Sequence, residues 1–345
     1  MTAPRTYRDA GVDVDEAEMA VERIARAAAA TLTPSVLGGV GGFGGLFRFD
    51  PETHPDPVLV TSTDGVGTKL KVAIELGRHD TVGVDLVNAV VNDILVSGAD
   101  PLFFLDYLGI GDLRAEVVDE VVGGVAAGCA ALGIPLIGGE TAQMPDVYRG
   151  HDYDLVGFAV GVVARTDLID GSGVAIGDAV IGLPSSGLHT NGYTLARRVL
   201  PPESWSRPMP DNGRSIGEAL LEPHRSYLDD LRALRRAMRA GGGDVRALAH
   251  ITGGGWEGNV PRTLPDGLGV EIETGSWPVP RIFSLLQASG DIADEEMVRT
   301  FNLGIGMTAV IPAGLVDAAI AAVPDARRIG RVLESGHGEP RVRFA

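Results

Sequence analysis

In the stretch Val58-Leu-Val-Thr-Ser-Thr-Asp-Gly-Val-Gly-Thr-Lys-Leu-Lys71, an apolar run typical of a β-strand passes into a turn rich in glycine and polar side chains. Its two lysines, Lys69 and Lys71, are the only ones in 345 residues, whereas the other 27 of the 29 basic side chains (29 − 2) are arginine. A lysine is needed where the planar guanidinium group does not fit. The glycines and Thr68 can donate hydrogen bonds to an anion, and Asp64 can hold Mg²⁺. The turn therefore predicts a site for phosphate and metal, and the alternative is an ordinary strand-to-turn junction.

Bulk composition narrows the class of protein. A length of 345 residues favours two domains, and 45% hydrophobic residues indicate a globular chain. The net charge of −17 argues against nucleic-acid and membrane partners, which favour basic surfaces. The single cysteine, Cys129, excludes an internal disulfide and suits a reducing compartment. With a polar start and no apolar signal segment, the chain is expected to be cytoplasmic.

Strand-like and helical patterns alternate along the whole chain, and short glycine clusters separate them. We predict an α+β protein of two mixed α/β domains, with residues 1–170 forming the first and 171–345 the second. Helices are predicted near 13–31, 80–97, 114–132, 192–200 and 217–240. Strands are predicted near 58–62, 102–108, 134–137, 155–163, 179–183, 268–273, 304–311 and 328–333.

The predicted helix at 80–97 carries a polar stripe on an otherwise apolar surface. Asp85, Asn88 and Asn92 share one face, and Asp93 lies beside it. The stripe either faces solvent or faces a polar cavity that contains metal and phosphate. Asp106, which interrupts an apolar strand, favours the cavity.

Further polar residues follow apolar runs in both halves. Glu140 follows Gly138 and Gly139, and it would meet Asp64 and Asp93 only if their elements were neighbours. Cysteines and histidines at zinc-site spacing are lacking, so the sequence does not predict zinc or a redox metal. A lone histidine is more often structural than catalytic, but His189 lies in a loop of serine, threonine, asparagine and glycine over 185–192, which strengthens the functional alternative without excluding the structural one.

Eight blocks of sequence together resemble one known family. Besides the opening Tyr7–Asp13, the blocks are Gly38–Gly45, Thr63–Lys69, Val91–Ile94, Pro101–Tyr107, Gly138–Ala142, Ser185–Tyr193, His250–Gly255 and Arg299–Met307. In their residues and their order, they resemble phosphoribosylformylglycinamidine cyclo-ligase, also called aminoimidazole ribonucleotide synthetase. One departure is Gln143, at a position that is usually glutamate in this family.

The resemblance implies a homodimer in which the N-terminal domains pair their sheets across the two-fold axis, with the nucleotide beside that interface. The N-terminal domain would bind ATP, and the C-terminal domain would complete the active site. The implied reaction of purine biosynthesis closes the ring of formylglycinamidine ribonucleotide, with ATP and Mg²⁺, to 5-aminoimidazole ribonucleotide, ADP and phosphate. Phosphoryl transfer to the amide oxygen would activate the substrate.

Site residues are also implied by the resemblance. His189, Asp64 and Lys69 would be catalytic, and Asp64, Asp93 and Glu140 would hold Mg²⁺. Thr68, Ser186, His189 and Asn191 would meet the substrate. The residues expected at the nucleotide are Gly41, Gly42, Gly44, Gly45, Lys69, Asn92, Asp106, Gly138 and Gly139.

Several related enzymes are the alternatives. Selenophosphate synthetase needs a reactive cysteine near its glycine-rich start, whereas the single cysteine of this chain is Cys129. The hydrogenase-maturation relative needs a C-terminal cysteine, whereas this chain ends Arg341-Val-Arg-Phe-Ala345. Thiamine-monophosphate kinase lacks the block at 138–142, and the formylglycinamidine synthetase subunit is much longer. A nucleotide-binding regulatory protein without turnover is the alternative from another class, and intact charged residues such as Asp64 and Glu140 argue against it.

Overall fold

The computed structural model describes residues 6, 14–39, 41–53, 55–211 and 213–345. The opening block of the family resemblance, Tyr7–Asp13, lies outside these residues. The chain divides into two compact units, one running to Ile94 and including Asp100–Ala164, the other comprising Leu95–Ala99 and Arg165–Ala345.

The first unit is a four-stranded mixed sheet with helices on one face. Its elements are α1 (Val14–Ala29), β1 (Pro57–Gly65), α2 (Leu70–Leu76), α3 (Val82–Leu95), β2 (Asp100–Ile110), α4 (Ala115–Leu132), β3 (Leu136–Gln143) and β4 (Tyr153–Ala164). The strand order is β1-β4-β2-β3, in which only β2 and β3 run parallel. β1 and β3 are therefore the two edges of the sheet.

Glycine lets the two central helices approach each other closely. A Cβ on Gly83 of α3 would lie 2.2 Å from the backbone nitrogen of Val125 in α4, so only glycine fits there. Their remaining surfaces are largely valine, leucine and alanine, which are buried. This pattern explains why both helices were visible in the sequence, since a helix that is apolar on most sides must be buried.

The opposite face of this sheet is apolar and partly open. Leu59 on β1 is 62% exposed and Phe158 on β4 is 42% exposed. Leu105 of β2 lies opposite Phe158 in the strand register, so its side chain lies on the same face. The sheet thus has one buried face and one face that presents large apolar side chains.

The second unit contains a six-stranded mixed sheet in the order β10-β7-β9-β5-β8-β6. Its strands are β5 (Ala179–Pro184), β6 (Ala247–His250), β7 (Leu268–Ile272), β8 (Ile305–Ile311), β9 (Arg327–Glu334) and β10 (Val342–Phe344). Its helices are α5 (Tyr193–Val199), α6 (Ile216–Leu220), α7 (Leu228–Ala240), α8 (Gly255–Asn259), α9 (Arg281–Gly290), α10 (Asp294–Thr300) and α11 (Val316–Ala322). Trp256 and Trp277 stack in its core. In the described part of the chain, every helix is too short or too polar to cross a bilayer.

The structure corrects some element predictions. The helix predicted over 217–240 is two helices, α6 and α7, because Pro223 lies between them and cannot continue a helix. Residues 138–140, expected in a loop after a strand, are part of β3 itself. The short strands β6 and β10 and the short helix α2 were not predicted.

Candidate active site

A cleft of about 710 Å³ opens in the first unit between α1, the glycine-rich loop before β1, the middle of β2 and most of β3. It collects most residues predicted to contact a nucleotide, together with one predicted metal ligand. Those in its wall are Gly41, Gly42, Gly44, Gly45, Asp106, Gly138, Gly139 and Glu140. Glycine backbone and a few polar groups beside apolar side chains are typical of a small-molecule site.

Asp106 is the buried carboxyl group of this cleft, with 7% of its surface exposed. In the strand register it lies opposite Gly157 on one side and Gly139 on the other. A Cβ on Gly139 would lie 2.1 Å from Oδ1 of Asp106, so the carboxyl group occupies the space of the missing side chain. Burial raises the pKa of Asp106 to about 7, although a backbone hydrogen bond opposes the shift. Near neutral pH the group can therefore both donate and accept a hydrogen bond.

Lys69 forms a buried ion pair with Asp85 of α3. Its Nζ lies 2.8 Å from Oδ1 of Asp85, and both side chains are completely buried. A short 3₁₀ turn ends at Lys69 and leads directly into α2, so the backbone aims the side chain inward. Lys69 does not line the cleft in this structure, and its side chain has no exposed surface through which it could contact a nucleotide directly.

The polar stripe of α3 lies inside the protein and does not face solvent. Asp85 and Asn92 have no exposed surface, and Asn88 is 8% exposed. A solvated helix face is therefore excluded. Asp93, beside the stripe, is partly exposed and its Oδ2 accepts a hydrogen bond from the Ser62 hydroxyl at 3.1 Å.

The three predicted metal carboxylates do not form one ligand set. Asp64 is exposed at the end of β1, whereas Glu140 lies on β3 at the opposite edge of the sheet. Asp93 lies near Asp64, because it binds Ser62 two residues earlier on the same strand. Among the described residues, the three are not a group whose ligand atoms lie within 4.8 Å of one another. Two carboxylates near β1 remain a suitable pair for Mg²⁺, which keeps several waters and takes further oxygens from phosphate.

In the second unit, the loop after β5 holds His189 in a left-handed conformation with φ of 65°. The backbone N–H of Ser186 donates to Nε2 of His189 at 3.2 Å, and the ring is 1% exposed. Gly306 makes room for it, because a Cβ there would lie 2.4 Å from Cε1 of His189. Asn302 holds the loop by donating to the carbonyl of Gly187 at 2.9 Å.

Two more histidines surround His189. The His224 ring stacks on it with centroids 3.8 Å apart, and Nε2 of His224 lies 3.1 Å from Nε2 of His250. Tyr227 tilts toward His189 and hydrogen-bonds the Pro184 carbonyl, and burial raises the pKa of its hydroxyl. The sequence reading missed His224 and Tyr227, since they are far along the chain and carry no local motif. The one signal in the sequence for His224 was its position directly after Pro223, in a loop with polar neighbours.

The remaining predicted residues take distinct positions. Thr68 is exposed in the turn after β1. Ser186 is exposed and its hydroxyl donates to the Pro223 carbonyl. Asn191 is partly exposed, and its amide donates to the Thr190 hydroxyl at 3.4 Å. Gln143 ends β3 and lines a surface groove with Arg149.

Comparisons with known proteins agree along the chain. Residues 45–163 match the N-terminal domain of AIR synthase related proteins, and residues 175–343 match the C-terminal domain. A phosphoribosylformylglycinamidine cyclo-ligase from Desulfitobacterium hafniense (strain DSM 10664 / DCB-2) is 52% identical over 89% of each chain. One from Anaeromyxobacter sp. (strain Fw109-5) is 53% identical over 97% of each chain. The chain belongs to the phosphoribosylformylglycinamidine cyclo-ligase family. The resemblance seen in the sequence, and with it the class of ligase, is confirmed.

Solved structures show that the cyclo-ligase family shares its fold with other proteins. The hydrogenase maturation protein HypE of E. coli superposes with a TM-score of 0.65 at 17% identity, covering 95% of this chain and 93% of its own. Thiamine-monophosphate kinase from Stenotrophomonas maltophilia K279a gives 0.65 at 18%, covering 94% and 95%. A HypE in complex with ATP gives 0.62 at 16%, covering 92% and 88%. At this identity the likeness concerns the fold alone.

Proposed function

We propose that this protein catalyses the ATP-dependent ring closure of formylglycinamidine ribonucleotide to 5-aminoimidazole ribonucleotide, with release of ADP and phosphate, in the cytoplasm. The observation that carries this proposal is the identity of 52–53% with cyclo-ligases over 89–97% of the chain. The cleft of the first unit supports it with the residue types that a nucleotide requires.

ATP would lie in the cleft of about 710 Å³, with its phosphates near the glycine-rich loop. The glycines of 41–45 and 138–139 allow backbone N–H groups to approach phosphate oxygens. Asp106 would bind a polar group of the nucleotide. Lys69 and Asn92, whose side chains are buried, would support the site from behind by holding α3 against the turn after β1.

Mg²⁺ fits the carboxylates of Asp64 and Asp93. Asp64 lies on β1, Asp93 of α3 accepts a hydrogen bond from Ser62 of the same strand, and both carboxylates retain exposed surface. When bound, the ion neutralises charge on the triphosphate. Glu140, at the other edge of the sheet, would serve a separate position in the cleft. On this proposal the three carboxylates would serve two separate positions and would not share one ion.

The chemistry follows from the poor leaving ability of an amide oxygen. Transfer of the γ-phosphoryl group from ATP to that oxygen would give ADP and an O-phosphorylated amide. The neighbouring amine nitrogen would then attack the carbon, the carbon–oxygen bond would break with release of phosphate, and the nitrogen would lose a proton as the ring closes. His189 would move the proton lost by the amine, and Thr68, Ser186 and Asn191 would orient the substrate. Because Nε2 of His189 accepts a hydrogen bond from Ser186, the neutral ring carries its proton on Nδ1.

A homodimer formed through the open sheet face of the first unit is part of the proposal. Leu59 and Phe158 expose 62% and 42% of their surfaces there, and a second copy of the same sheet would cover them. Phe158 also lines the nucleotide cleft, which puts the cleft next to this face. Light scattering on the purified chain would measure the mass, and Phe158→Asp should give the monomer.

The deciding experiment is phosphate release from ATP and Mg²⁺ with and without formylglycinamidine ribonucleotide. We expect release that depends on this substrate and an equal amount of 5-aminoimidazole ribonucleotide. ATP binding without that dependence would contradict the proposal. Thiamine monophosphate is the control substrate, because the thiamine-monophosphate kinase shares the fold. Phosphorylation of that compound would indicate a kinase instead.

A further inference from the structure

Three buried histidines of the second unit converge at one point. His189, His224 and His250 are 1%, 1% and 5% exposed. Each offers one ring nitrogen, and these nitrogens lie within 4.8 Å of one another. Among the described residues, this is the one group of three histidine, cysteine or acidic side chains that meets the condition. The sequence alone did not indicate this group, because the three histidines come from separate loops and strands rather than from one zinc-like motif.

The spacing of His224 and His250 is close to that of two ligands on one metal ion. Their Nε2 atoms lie 3.1 Å apart. Two imidazoles on a tetrahedral ion, each with a bond of about 2.0–2.1 Å, hold their nitrogens roughly 3.3 Å apart. Without metal, the two neutral rings share a single proton between these atoms. An ion bound to both nitrogens would lie off the line that joins them, so each ring would turn from its hydrogen-bonded orientation toward the ion.

The neighbouring groups orient the ring of His224 for this role. Its Nδ1 lies 3.4 Å from the hydroxyl of Thr190, so its Nε2 faces His250. Such a contact on the second nitrogen fixes the tautomer of a ligating histidine. The ring of His189 is stacked on His224 at an interplanar angle of 21°, and one of its nitrogens is the third member of the group. To bind the same ion as the other two, this ring would have to turn out of the stack.

We propose that His189, His224 and His250 bind one divalent transition-metal ion of the zinc class, with its fourth position open to water. Imidazole nitrogen suits Zn²⁺, Co²⁺, Ni²⁺ and Cu²⁺, whereas Mg²⁺ prefers oxygen, so this site is chemically distinct from the carboxylates at β1. The ion would occupy a nitrogen of His189 and thereby inhibit turnover. The inhibition rests on the proposed function, whereas the binding of metal does not.

The test is direct metal binding to the full chain with Zn²⁺ and Co²⁺ salts. Competition with a chromophoric chelator should show one Zn²⁺ per chain, and bound Co²⁺ should give the intense visible absorption of tetrahedral coordination. His224→Gln should weaken Zn²⁺ binding by at least about 100-fold, since even outer contacts of a metal site are worth 10–100-fold. His337→Gln, which removes an exposed histidine, is the matched control and should bind as the parent does.

Folding of the variants is checked by circular dichroism and by thermal unfolding with and without Zn²⁺. Zn²⁺ should raise the Tm of the parent and of His337→Gln but not of His224→Gln, because a ligand stabilises only the fold that binds it. His250→Gln removes another of the three ligands and should likewise show no rise in Tm with Zn²⁺. Parent protein without stoichiometric Zn²⁺ binding, or His224→Gln with unchanged binding, would overturn the site. Tight binding with undiminished turnover would overturn only the inhibition and would count against His189 as the proton carrier.

Discussion

The carboxyl group of Asp106 occupies the space that a side chain on Gly139 would fill. The two residues are register partners on the parallel strands β2 and β3, and a Cβ on Gly139 would lie 2.1 Å from Oδ1 of Asp106. Glycine is therefore required at this point for the acid to stay buried in the wall of the cleft. The relationship joins the geometry of the sheet to the chemistry of the proposed nucleotide site.

Gly139→Ala should destabilise the fold, because its methyl group would collide with Asp106. We expect a loss of about 1–3 kcal/mol in the free energy of unfolding, typical of overpacking. Urea unfolding measures it. Gly138→Ala is the matched control, since its Cβ would meet only Leu105 Cδ2 at an ordinary 3.7 Å, and a cost below about 1 kcal/mol is expected. Equal effects of the two substitutions would contradict the close contact.

Stability should depend on pH through Asp106. Its pKa is raised from 3.8 to about 7 by burial, so the folded protein holds the proton more tightly than the unfolded chain. The resulting stabilisation is complete below about pH 4 and is lost as the pH rises through 7. Each unit of pKa corresponds to about 1.36 kcal/mol. Asp106→Asn should flatten this part of the stability profile and raise stability at pH 8 by a few kcal/mol. Denaturant unfolding between pH 5 and pH 8 tests this, and an unchanged profile would exclude Asp106 as its source.

Breaking the buried pair of Lys69 and Asp85 should be costly. Lys69→Met leaves a buried carboxylate without its cation and should lower stability by about 3–5 kcal/mol. The matched control is the other lysine: Lys71 pairs with Asp152 at the surface, so Lys71→Met should cost at most about 1 kcal/mol. Thermal unfolding compares the two. A double variant, Lys69→Met with Asp85→Leu, should recover much of the loss, and failure to do so would point to other partners of the pair.

The nucleotide affinity of the same variants separates two roles for Lys69. If the ammonium group only supports the site, folded Lys69→Met should bind ATP within about tenfold of the parent. A direct charge-assisted contact would instead be worth about 1.5–3 kcal/mol, which is more than tenfold. Calorimetric titration with ATP, below the melting temperature of the variant, distinguishes these outcomes.

His189→Asn should reduce turnover and spare the fold. Loss of a general acid or base lowers kcat by about 10²–10⁴-fold. Asparagine is the substitute because it tolerates the positive φ of 65° at this position. His79→Gln, a buried histidine of the first unit that binds Tyr153, is the control and should affect stability rather than kcat. A large fall in Tm with retained activity would instead show that His189 is structural.

Local pattern was sufficient where one element carries its own signal. The helix α4 and the strands β1, β4 and β8 lie close to their predicted positions. Their signals, the period of the apolar residues and the glycines at the ends, are contained within each segment itself. The prediction of one continuous helix over 217–240 was wrong, because Pro223 interrupts the helical pattern. The expectation of a loop was also wrong for 138–140, where two glycines and a glutamate sit within a strand. Pairing with β2 holds that strand, and pairing partners are not visible in a single segment.

By itself the sequence determined the family, the two-part α+β architecture and the types of residue that carry chemistry, since these depend on motifs and their order. Only the tertiary structure decided which of those residues meet. Sheet order put Asp64 and Glu140 on opposite edges, and packing joined Lys69 to Asp85. The fold of the second unit brought His224, from the segment between α6 and α7, to His189 and His250. Contacts between distant segments depend on the path of the backbone through space, which no short stretch of sequence encodes.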